Sequence, residues 1–317
     1  MRIGIVGAGI AGLACAQGLV RQGHDVVLFD KGRGPGGRMS TRRMETPRGL
    51  AHFDHGAQYF TVRDNDFRSQ ADAWIAAGVV APWPAAGGDA YVGVPAMNTP
   101  VRDLAARHLV HWATRVTGVR SSGDGWCLTV ADGEHHDVDL AVIAIPAEQA
   151  AVLLADAAPD VAARAREVVS QPCWTVMVAF GEPVGFGDDC WRTGDEVNDA
   201  IGWAARNSAK PARSGPESWV VQATPEWSRR HIDADPGEVV ESLIIEFAGA
   251  LDVTPPARIG SAAHLWRFAR VPAGGAGPFF DGDRRLGLCG DWLIGPRVES
   301  AWLCGTRLAD RVASAGR

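Results

Sequence analysis

Lysine and tyrosine are scarce in this sequence of 317 residues. Lysine occurs only at Lys31 and Lys210, and tyrosine only at Tyr59 and Tyr91. The net charge is -6, and no basic stretch is long enough to suggest attraction to nucleic acid or to a lipid surface. No apolar run has the length and composition of a transmembrane segment. The composition therefore predicts a globular protein with neither a nucleic-acid nor a membrane partner.

Paired cysteines and metal-ligand spacings are also lacking. The six cysteines form no Cys-x-x-Cys pattern. The histidines at positions 52, 55, 135 and 136 show no ligand spacing with carboxylates. We therefore expect reduced thiols, no metal site and a cytoplasmic location.

The first 30 residues have the pattern of a nucleotide-binding β-α-β unit. The apolar runs Ile3–Val6 and Val26–Phe29 predict two buried strands. Between them lies the motif Gly7–Gly12, whose three glycines allow a sharp turn, close approach of the backbone to a pyrophosphate, and tight helix packing. Asp30 follows the second strand, where a carboxylate can accept a hydrogen bond from a ribose hydroxyl.

A second glycine-rich segment, residues 31–38, discriminates between the common dinucleotides. NAD needs nothing after the acidic residue, whereas FAD has an isoalloxazine and ribitol extension that must pass the second strand. Lys31, Arg33 and Arg38 supply positive charge for the diphosphate, and the pair Gly36–Gly37 leaves room for the backbone to pass closely. The combined pattern favours FAD over NAD(P).

The C-terminal segment Gly290–Glu299 offers a further contact surface for the same cofactor. Asp291 follows a short apolar run, Leu286–Cys289, and can accept a hydrogen bond from a ribitol hydroxyl. The helix predicted from Pro296 onward points free N–H groups at the flavin edge, where negative charge develops on reduction. Taken alone, the segment is also compatible with an ordinary strand-to-helix turn.

The remaining segments predict two interleaved domains. The continuously apolar run Leu140–Ile145 is typical of a covered parallel strand, whereas Cys173–Phe180 and Trp219–Ala223 have an antiparallel character. We predict an α/β fold in which a Rossmann-type FAD-binding domain is interleaved with a mixed or antiparallel-sheet substrate domain. The predicted FAD-binding domain comprises residues 1–67, 98–155 and 283–317, and the substrate domain residues 68–97 and 156–282. The active site is expected at their junction.

Six segments resemble bacterial renalase-like flavoproteins, a branch of the amine-oxidase-like FAD superfamily. They are FDKGRGPGGRMSTRR (29–43), DHGAQYFT (54–61), AARNSAKP (204–211), ATPEWSRRHID (223–233), HLWRFARVP (264–272) and CGDWLIGPRVESAWLCG (289–305). The resemblance implies a p-hydroxybenzoate-hydroxylase-like fold and non-covalent FAD. It also implies a metabolite-repair reaction, in which the isomeric 2- and 6-dihydro forms of NAD(P) give hydride to flavin N5, yielding NAD(P)⁺, and O₂ is reduced to H₂O₂.

The motifs and this resemblance together predict the cofactor contacts. They are Gly7, Gly9, Ile10, Ala11, Gly12, Asp30, Lys31, Gly37, Arg38, Met39, Gly56, Ala57, Gln58, Tyr59, Val116, Asp291 and Val298. Hydride release from a dihydronicotinamide makes its ring aromatic, so no proton has to be removed and no catalytic base is assigned. Candidates for the substrate site are Asn207, His264, Trp266, Arg270 and Trp292. The expected partners are the dinucleotide substrate and O₂, and the expected assembly is a monomer or a weak dimer.

Two other functions stay open at this point. A flavin amine oxidase resembles the chain at both glycine motifs, but such enzymes typically have an aromatic sandwich at the flavin and a lysine near N5. Here Lys210 is the only lysine outside the cofactor segment, although tryptophan could replace tyrosine in a sandwich. A non-redox flavin-dependent isomerase is the second alternative, and it differs in leaving no net flavin reduction.

Overall fold

The computed structural model describes residues 1–192 and 199–315. Within them the α-helices are α1 (Ile10–Arg21), α2 (Asn65–Ala76), α3 (Thr99–Ala105), α4 (Ala147–Leu153), α5 (Pro159–Arg166), α6 (Pro225–Arg230), α7 (Pro236–Leu251) and α8 (Val298–Ala315). The strands are β1 (Arg2–Val6), β2 (Asp25–Phe29), β3 (Thr41–Thr46), β4 (Gly49–Asp54), β5 (Phe60–Thr61), β6 (Val80–Pro82), β7 (Ala90–Gly93), β8 (Leu109–His111), β9 (Val116–Ser122), β10 (Gly125–Val130), β11 (His135–Val138), β12 (Leu140–Ile143), β13 (Gln171–Phe180), β14 (Cys190–Arg192), β15 (Ile201–Arg206), β16 (Ser218–Ala223), β17 (Arg258–Arg270), β18 (Phe279–Asp281) and β19 (Leu286–Leu288).

The first layer is a six-stranded sheet of order β18-β19-β12-β1-β2-β8. Its central strands are parallel, and β1 lies between β12 and β2. The apolar runs of β1 and β12 are buried, as expected for strands covered on both faces. Helices α1 and α8 pack together over this sheet, where Gly305 of α8 lies so close to α1 that an added Cβ would be 2.1 Å from the Ala11 carbonyl oxygen. The predicted Rossmann-type unit is confirmed.

The second layer is a five-stranded antiparallel sheet of order β14-β15-β16-β13-β17. Alternate residues of β13 and β16, such as Val176 and Val221, are fully buried in one cluster with Leu243 and Phe247 of α7. Helix α7 is capped at its N-terminus by Asp235, whose carboxylate accepts from the Gly237 N–H at 2.7 Å. The face of the second sheet opposite α7 is turned toward the first layer.

The hairpin of β3 and β4, which the sequence did not predict, joins the two layers. Phe53 of β4 is fully buried in a small cluster with Met177 and Val220 of the second sheet. The next residue along the chain, Asp54, is also fully buried. The hairpin therefore follows the glycine-rich segment 31–38 along the chain and packs against the second sheet through β4.

Residues 68–97 were predicted to belong to the substrate domain. In the structure Phe67, Trp74 and Val92 are buried in the same cluster as Leu13 of α1 and Leu308 of α8. This segment, with α2 and the small sheet β5-β7-β6, thus packs on the Rossmann-type unit. Between β6 and β7 lies a short 3-10 helix, Pro84–Ala86. The interleaved domain boundaries as a whole stay a prediction.

Among the described residues, no helix combines the length and the apolar character needed to cross a membrane.

Candidate active site

The N-terminal glycine motif forms an open cradle at the start of α1. An added Cβ at Gly12 would lie 2.0 Å from the Gly7 carbonyl oxygen, so only glycine permits this close contact. At Gly9, by contrast, an added Cβ would meet nothing within 4 Å. The first N–H groups of α1 have no partner within the helix, as at any helix N-terminus, and no side chain at Gly9 caps them. The motif thus presents free backbone donors to open space, which suits a diphosphate.

Asp30 fixes the position of both glycine-rich segments. One carboxylate oxygen accepts from the Ala8 N–H at 2.7 Å, and the other accepts from the Gly32 N–H at 2.7 Å. A carboxylate has about four lone-pair sites, so acceptor capacity remains for a ribose hydroxyl. The predicted ribose contact stays a prediction, and the structure adds a second role that the sequence did not suggest.

Arg38 and Asp291 connect the N-terminal and C-terminal motifs. Their side chains form a bidentate ion pair with N–O distances of 2.8 and 2.5 Å. The Arg38 carbonyl oxygen also accepts from the Ala57 N–H at 2.7 Å, and an added Cβ at Gly56 would lie 2.0 Å from that same oxygen. Predicted cofactor contacts from three distant segments are therefore adjacent.

The other predicted cofactor positions border this region. Met39 is buried in the same apolar cluster as Leu13 of α1 and Leu308 of α8. The Lys31 ammonium donates to the Gln149 amide oxygen at 3.2 Å. Val116 is the first residue of β9, and Val298 is the first residue of α8. The direct contact of each with FAD stays a prediction.

A row of four side chains crosses the second sheet on the face away from α7. Trp203 pairs with Gln222, Gln222 with Thr175, and Thr175 with His264. Side chains at paired positions of neighbouring strands lie on one face. We call these four residues the transverse row. Sequence reasoning missed Gln222 and Thr175, whose signal was a polar residue within an otherwise apolar strand.

The transverse row lies directly against the segment His55–Tyr59. The Gln222 amide donates to the Gly56 carbonyl at 2.8 Å. At one end the rings of Trp203 and Tyr59 are 5.4 Å apart, and at the other end those of His264 and His55 are 5.2 Å apart. The second sheet therefore covers the predicted flavin-contacting segment.

Both histidines of this site are poor proton acceptors. Burial, with a further contribution from His264, lowers the pKa of His55 to about 4. Burial, followed by the charge of Arg42, also lowers the pKa of His264. Both side chains are therefore expected to be neutral at pH 7.

The predicted substrate residues occupy different surroundings. Trp266 and His264 lie at the site, since the Trp266 indole N–H donates to the His55 carbonyl at 2.8 Å. Arg270 ends β17 and is exposed. Asn207 is buried and bonds through both amide atoms to the backbone of β4, at the Asp54 N–H and the His52 carbonyl. Trp292 is buried in the core beneath the first sheet, where it donates to the Ile145 carbonyl at 3.2 Å. The substrate contacts of all five stay predictions.

A buried ion cluster lies beneath the site. The Asp54 carboxylate is 3.1 Å from the Lys210 ammonium and 2.7 Å from the Arg213 guanidinium, and none of these side chains is more than 1% exposed. Although burial alone would raise it, the two cations hold the pKa of Asp54 well below its ordinary value. Burial lowers the pKa of Lys210 to about 8 despite the opposing charge of Asp54. Lys210 also donates to the Gln58 side-chain oxygen at 3.2 Å, so the cluster positions a predicted cofactor residue.

These contacts give an expected result for cofactor retention. Asp30→Ala and Arg38→Ala should each weaken FAD binding roughly 10- to 100-fold, which corresponds to the loss of one charge-assisted hydrogen bond of about 1.5–3 kcal/mol. His264→Ala should leave FAD content unchanged. Flavin absorbance after dilution and gel filtration measures the effect. Wild-type flavin content in both charge variants would show that the cofactor does not lie on this loop.

Comparison with known proteins decides the family. Residues 5–72 match the sequence profile of an NAD(P)-binding Rossmann-like domain, and residues 84–313 match that of the flavin-containing amine oxidoreductases. The second match covers well over half of the chain. The chain belongs to the flavin-containing amine oxidoreductase family. The family match, the Rossmann-like unit and the open cradle at Gly9 agree on the cofactor, which is FAD, and on the class, which is an FAD-dependent oxidoreductase.

Solved structures extend the likeness of the fold to the whole chain. A candidate protoporphyrinogen oxidase from Exiguobacterium sp. 255-15 superposes with a TM-score of 0.75 at 13% identity, covering 98% of each chain. A fatty acid isomerase from P. acnes that produces CLA gives 0.70 at 12% identity over 99% of this chain and 98% of its own. A putrescine oxidase redesigned in cofactor binding gives 0.67 at 12% identity over 99% of both chains. At these identities the likeness establishes the shared fold of the family.

Curated relatives match over a short segment. The 4,4'-diapophytoene desaturases of Staphylococcus aureus, for example from strains Newman and USA300, are 48% identical to this chain over 40 residues. That segment is 13% of this chain and only 8% of the length of each desaturase. The desaturases therefore share a local sequence motif with this chain.

Proposed function

We propose that this FAD-dependent oxidoreductase oxidises 2- and 6-dihydro isomers of NAD(P)H. The dihydro dinucleotide loses a hydride, O₂ and a proton take up the two electrons, and the products are NAD(P)⁺ and H₂O₂. Bound FAD supplies the hydride acceptor and the route of the electrons to O₂. The protein would hold the nicotinamide between the flavin and the transverse row.

The observation that carries this proposal is the positive charge around the transverse row. Arg42 of β3 pairs with Phe53 of β4, and Phe53 packs against the second sheet, so Arg42 lies on the face of the hairpin that is turned toward that sheet. Its charge also contributes to the lowered pKa values of His55 and His264. At the other end of the row, the Arg192 guanidinium lies 5.1 Å from the ring of Trp203. The carboxylate beneath the site, Asp54, is already engaged with two cations. Such surroundings favour an anionic dinucleotide over an ammonium substrate.

The neutral histidines support the same proposal. A dihydronicotinamide becomes aromatic as the hydride leaves, so the site must supply shape, stacking and neutral hydrogen-bonding groups rather than a base. Trp203 and Trp266 are available for stacking. The Gln222 amide nitrogen donates to Gly56, so its carbonyl oxygen is the group that could accept from a carboxamide. Lys210, the lysine that could act near the flavin, is held by Asp54 and Gln58 instead.

A flavin amine oxidase is the second candidate. The observation in its favour is the pair formed by Tyr59 and Trp203, whose rings are 5.4 Å apart at an interplanar angle of 42°. Two aromatic rings beside the predicted flavin-contacting segment could enclose an amine. The arginines at both ends of the row weigh against this candidate.

Anaerobic reduction of the purified yellow protein tests the proposal. We expect 2- or 6-dihydro-NAD(P) to bleach the flavin rapidly, ordinary 4-dihydro-NADH to bleach it poorly, and O₂ to restore the colour with formation of H₂O₂. Arg42→Gln should raise KM for the dinucleotide about tenfold, the effect of losing one charged hydrogen bond. Arg43→Gln is the matched control, because neighbouring residues of a strand face opposite sides. Rapid bleaching by primary or secondary amines with inert dihydro isomers would establish the amine oxidase, and turnover without flavin reduction would establish an isomerase.

A further inference from the structure

A basic cavity lies behind the β3–β4 hairpin, on the side away from the transverse row. Its volume is about 260 Å³, and three chain segments enclose it. Its lining comprises Thr41, Arg43 and His52 of the hairpin, residues Pro95, Ala96, Asn98 and Arg102 before and within α3, and the loop residues Ala212, Arg213 and Ser214. Thr41 and Arg43 share one face of β3, so Arg42 lies on the other face. The cavity and the candidate active site are thus separated by the thickness of the hairpin.

The charge of this cavity is opposite to that of the whole protein. The chain has a net charge of -6, yet three of the ten lining residues are arginines and, among the described residues that line it, none is acidic. Arg213 pairs with Asp54, but Asp54 is also paired with Lys210, so this buried cluster retains a net positive charge. Arg43 and Arg102 add two more positive charges at the walls. A cavity of one sign concentrates ions of the other sign.

The arginines of the walls are available to a ligand. Within the described chain, neither the Arg43 nor the Arg102 guanidinium has an ion-pair or hydrogen-bond partner. They approach from different elements, Arg43 from β3 and Arg102 from α3. Two guanidinium groups on different walls can hold one tetrahedral oxyanion through paired N–H donors. The Arg213 side chain, only 1% exposed, is held by Asp54 and by the Gly93 carbonyl, so the floor of the cavity is fixed.

We propose that this cavity binds a phosphate group, either as inorganic phosphate or as a small phosphomonoester. About 260 Å³ accommodates a phosphate with a small organic substituent. The apolar residues Pro95, Ala96 and Ala212 would contact the substituent. This site is independent of the proposed dihydronicotinamide oxidation. Because Arg213 also holds Asp54, ligand binding stabilises the segment that carries the ion cluster.

Calorimetric titration of the FAD-loaded protein with inorganic phosphate, at constant ionic strength, tests the site. We expect saturable binding that weakens at least tenfold in the Arg43→Gln/Arg102→Gln variant. The Arg229→Gln/Arg230→Gln variant is the control for lost charge, because both residues are exposed on α6. Phosphate should also raise Tm in the wild type and not in the Arg43→Gln/Arg102→Gln variant. A parallel titration with ribose 5-phosphate distinguishes the two ligands. If ribose 5-phosphate binds more tightly than inorganic phosphate, the apolar residues of the cavity contact the organic substituent. If it binds equally or more weakly, the ligand is inorganic phosphate.

The Arg42→Gln variant distinguishes phosphate binding in this cavity from phosphate binding at the transverse row. If phosphate bound at the transverse row, Arg42→Gln would weaken phosphate binding and the Arg43→Gln/Arg102→Gln variant would not. The proposal would then be wrong. Absence of saturable binding to the wild-type protein would overturn it as well. If the Arg43→Gln/Arg102→Gln and Arg229→Gln/Arg230→Gln variants lost the same amount of phosphate affinity, the loss would come from the change in net charge. Such a result would contradict a specific phosphate site in the cavity. None of these outcomes bears on whether dihydro isomers reduce the flavin.

Discussion

Replacing Asp54 with asparagine is expected to destabilise the protein by about 3–5 kcal/mol, because the substitution leaves the buried cations Lys210 and Arg213 without their common anion. All three side chains are essentially inaccessible to water, so solvent cannot compensate the loss. For a chain of this size, such a change corresponds to a fall in Tm of roughly 4–8 °C. Differential scanning calorimetry of wild type and variant at pH 7 measures it.

Two further variants show whether the buried charge is the cause. Glu182→Gln breaks an ion pair of similar length, 2.7 Å to Arg48, but both partners are more than half exposed, so its cost should stay below about 1 kcal/mol. Adding Lys210→Met to Asp54→Asn removes one of the uncompensated cations and should recover part of the lost stability. If Asp54→Asn were as mild as Glu182→Gln, the ion cluster would not be a structural element of the fold.

The sequence predicted the Rossmann-type unit because its determinants are local. Gly7, Gly9 and Gly12 lie within six residues, and the strands beside them are continuously apolar. The hairpin β3–β4 was missed because β3, Thr41–Thr46, is mostly polar and lacks the hydrophobic alternation of a half-buried strand. Its stability comes from contacts of β4 with the second sheet, and those contacts are made only in the folded chain.

The ion cluster and the transverse row depend on still more distant contacts. Asp54 and Lys210 are 156 positions apart, so no spacing along the chain indicates that they form a pair. Lys210 was considered at the sequence level only as a lysine that could act near the flavin. The row requires the register of four strands, and Gln222 becomes notable only when it is placed between Trp203 and Thr175. Local patterns thus predicted the cofactor contacts, whereas the transverse row became visible only in the tertiary structure.

Gly9→Ala is expected to weaken FAD binding by roughly 10- to 100-fold, or about 1.4–2.7 kcal/mol, without preventing folding. The added Cβ meets no protein atom within 4 Å, and the backbone at Gly9 has φ -74°, which alanine adopts readily. Loss of glycine at the start of α1 costs less than about 1 kcal/mol of stability. The methyl group would instead occupy the open space through which the pyrophosphate must approach the free N–H groups of the helix.

Titration of the apoprotein with FAD, followed by the quenching of flavin fluorescence, gives the affinities of the variants. Gly88→Ala is the matched control, because its Cβ also meets nothing within 4 Å and Gly88 is exposed in a loop outside the glycine motifs. Circular dichroism and Tm should agree for both variants within a few degrees, so that a lost affinity in Gly9→Ala is assigned to the cofactor and not to the fold. A folded Gly9→Ala protein with the FAD affinity of the wild type would mean that the pyrophosphate does not lie at the start of α1, even though the protein is a flavoprotein. A parallel loss of affinity in Gly88→Ala would mean that the effect is not specific to the cradle, because that residue has no predicted contact with FAD.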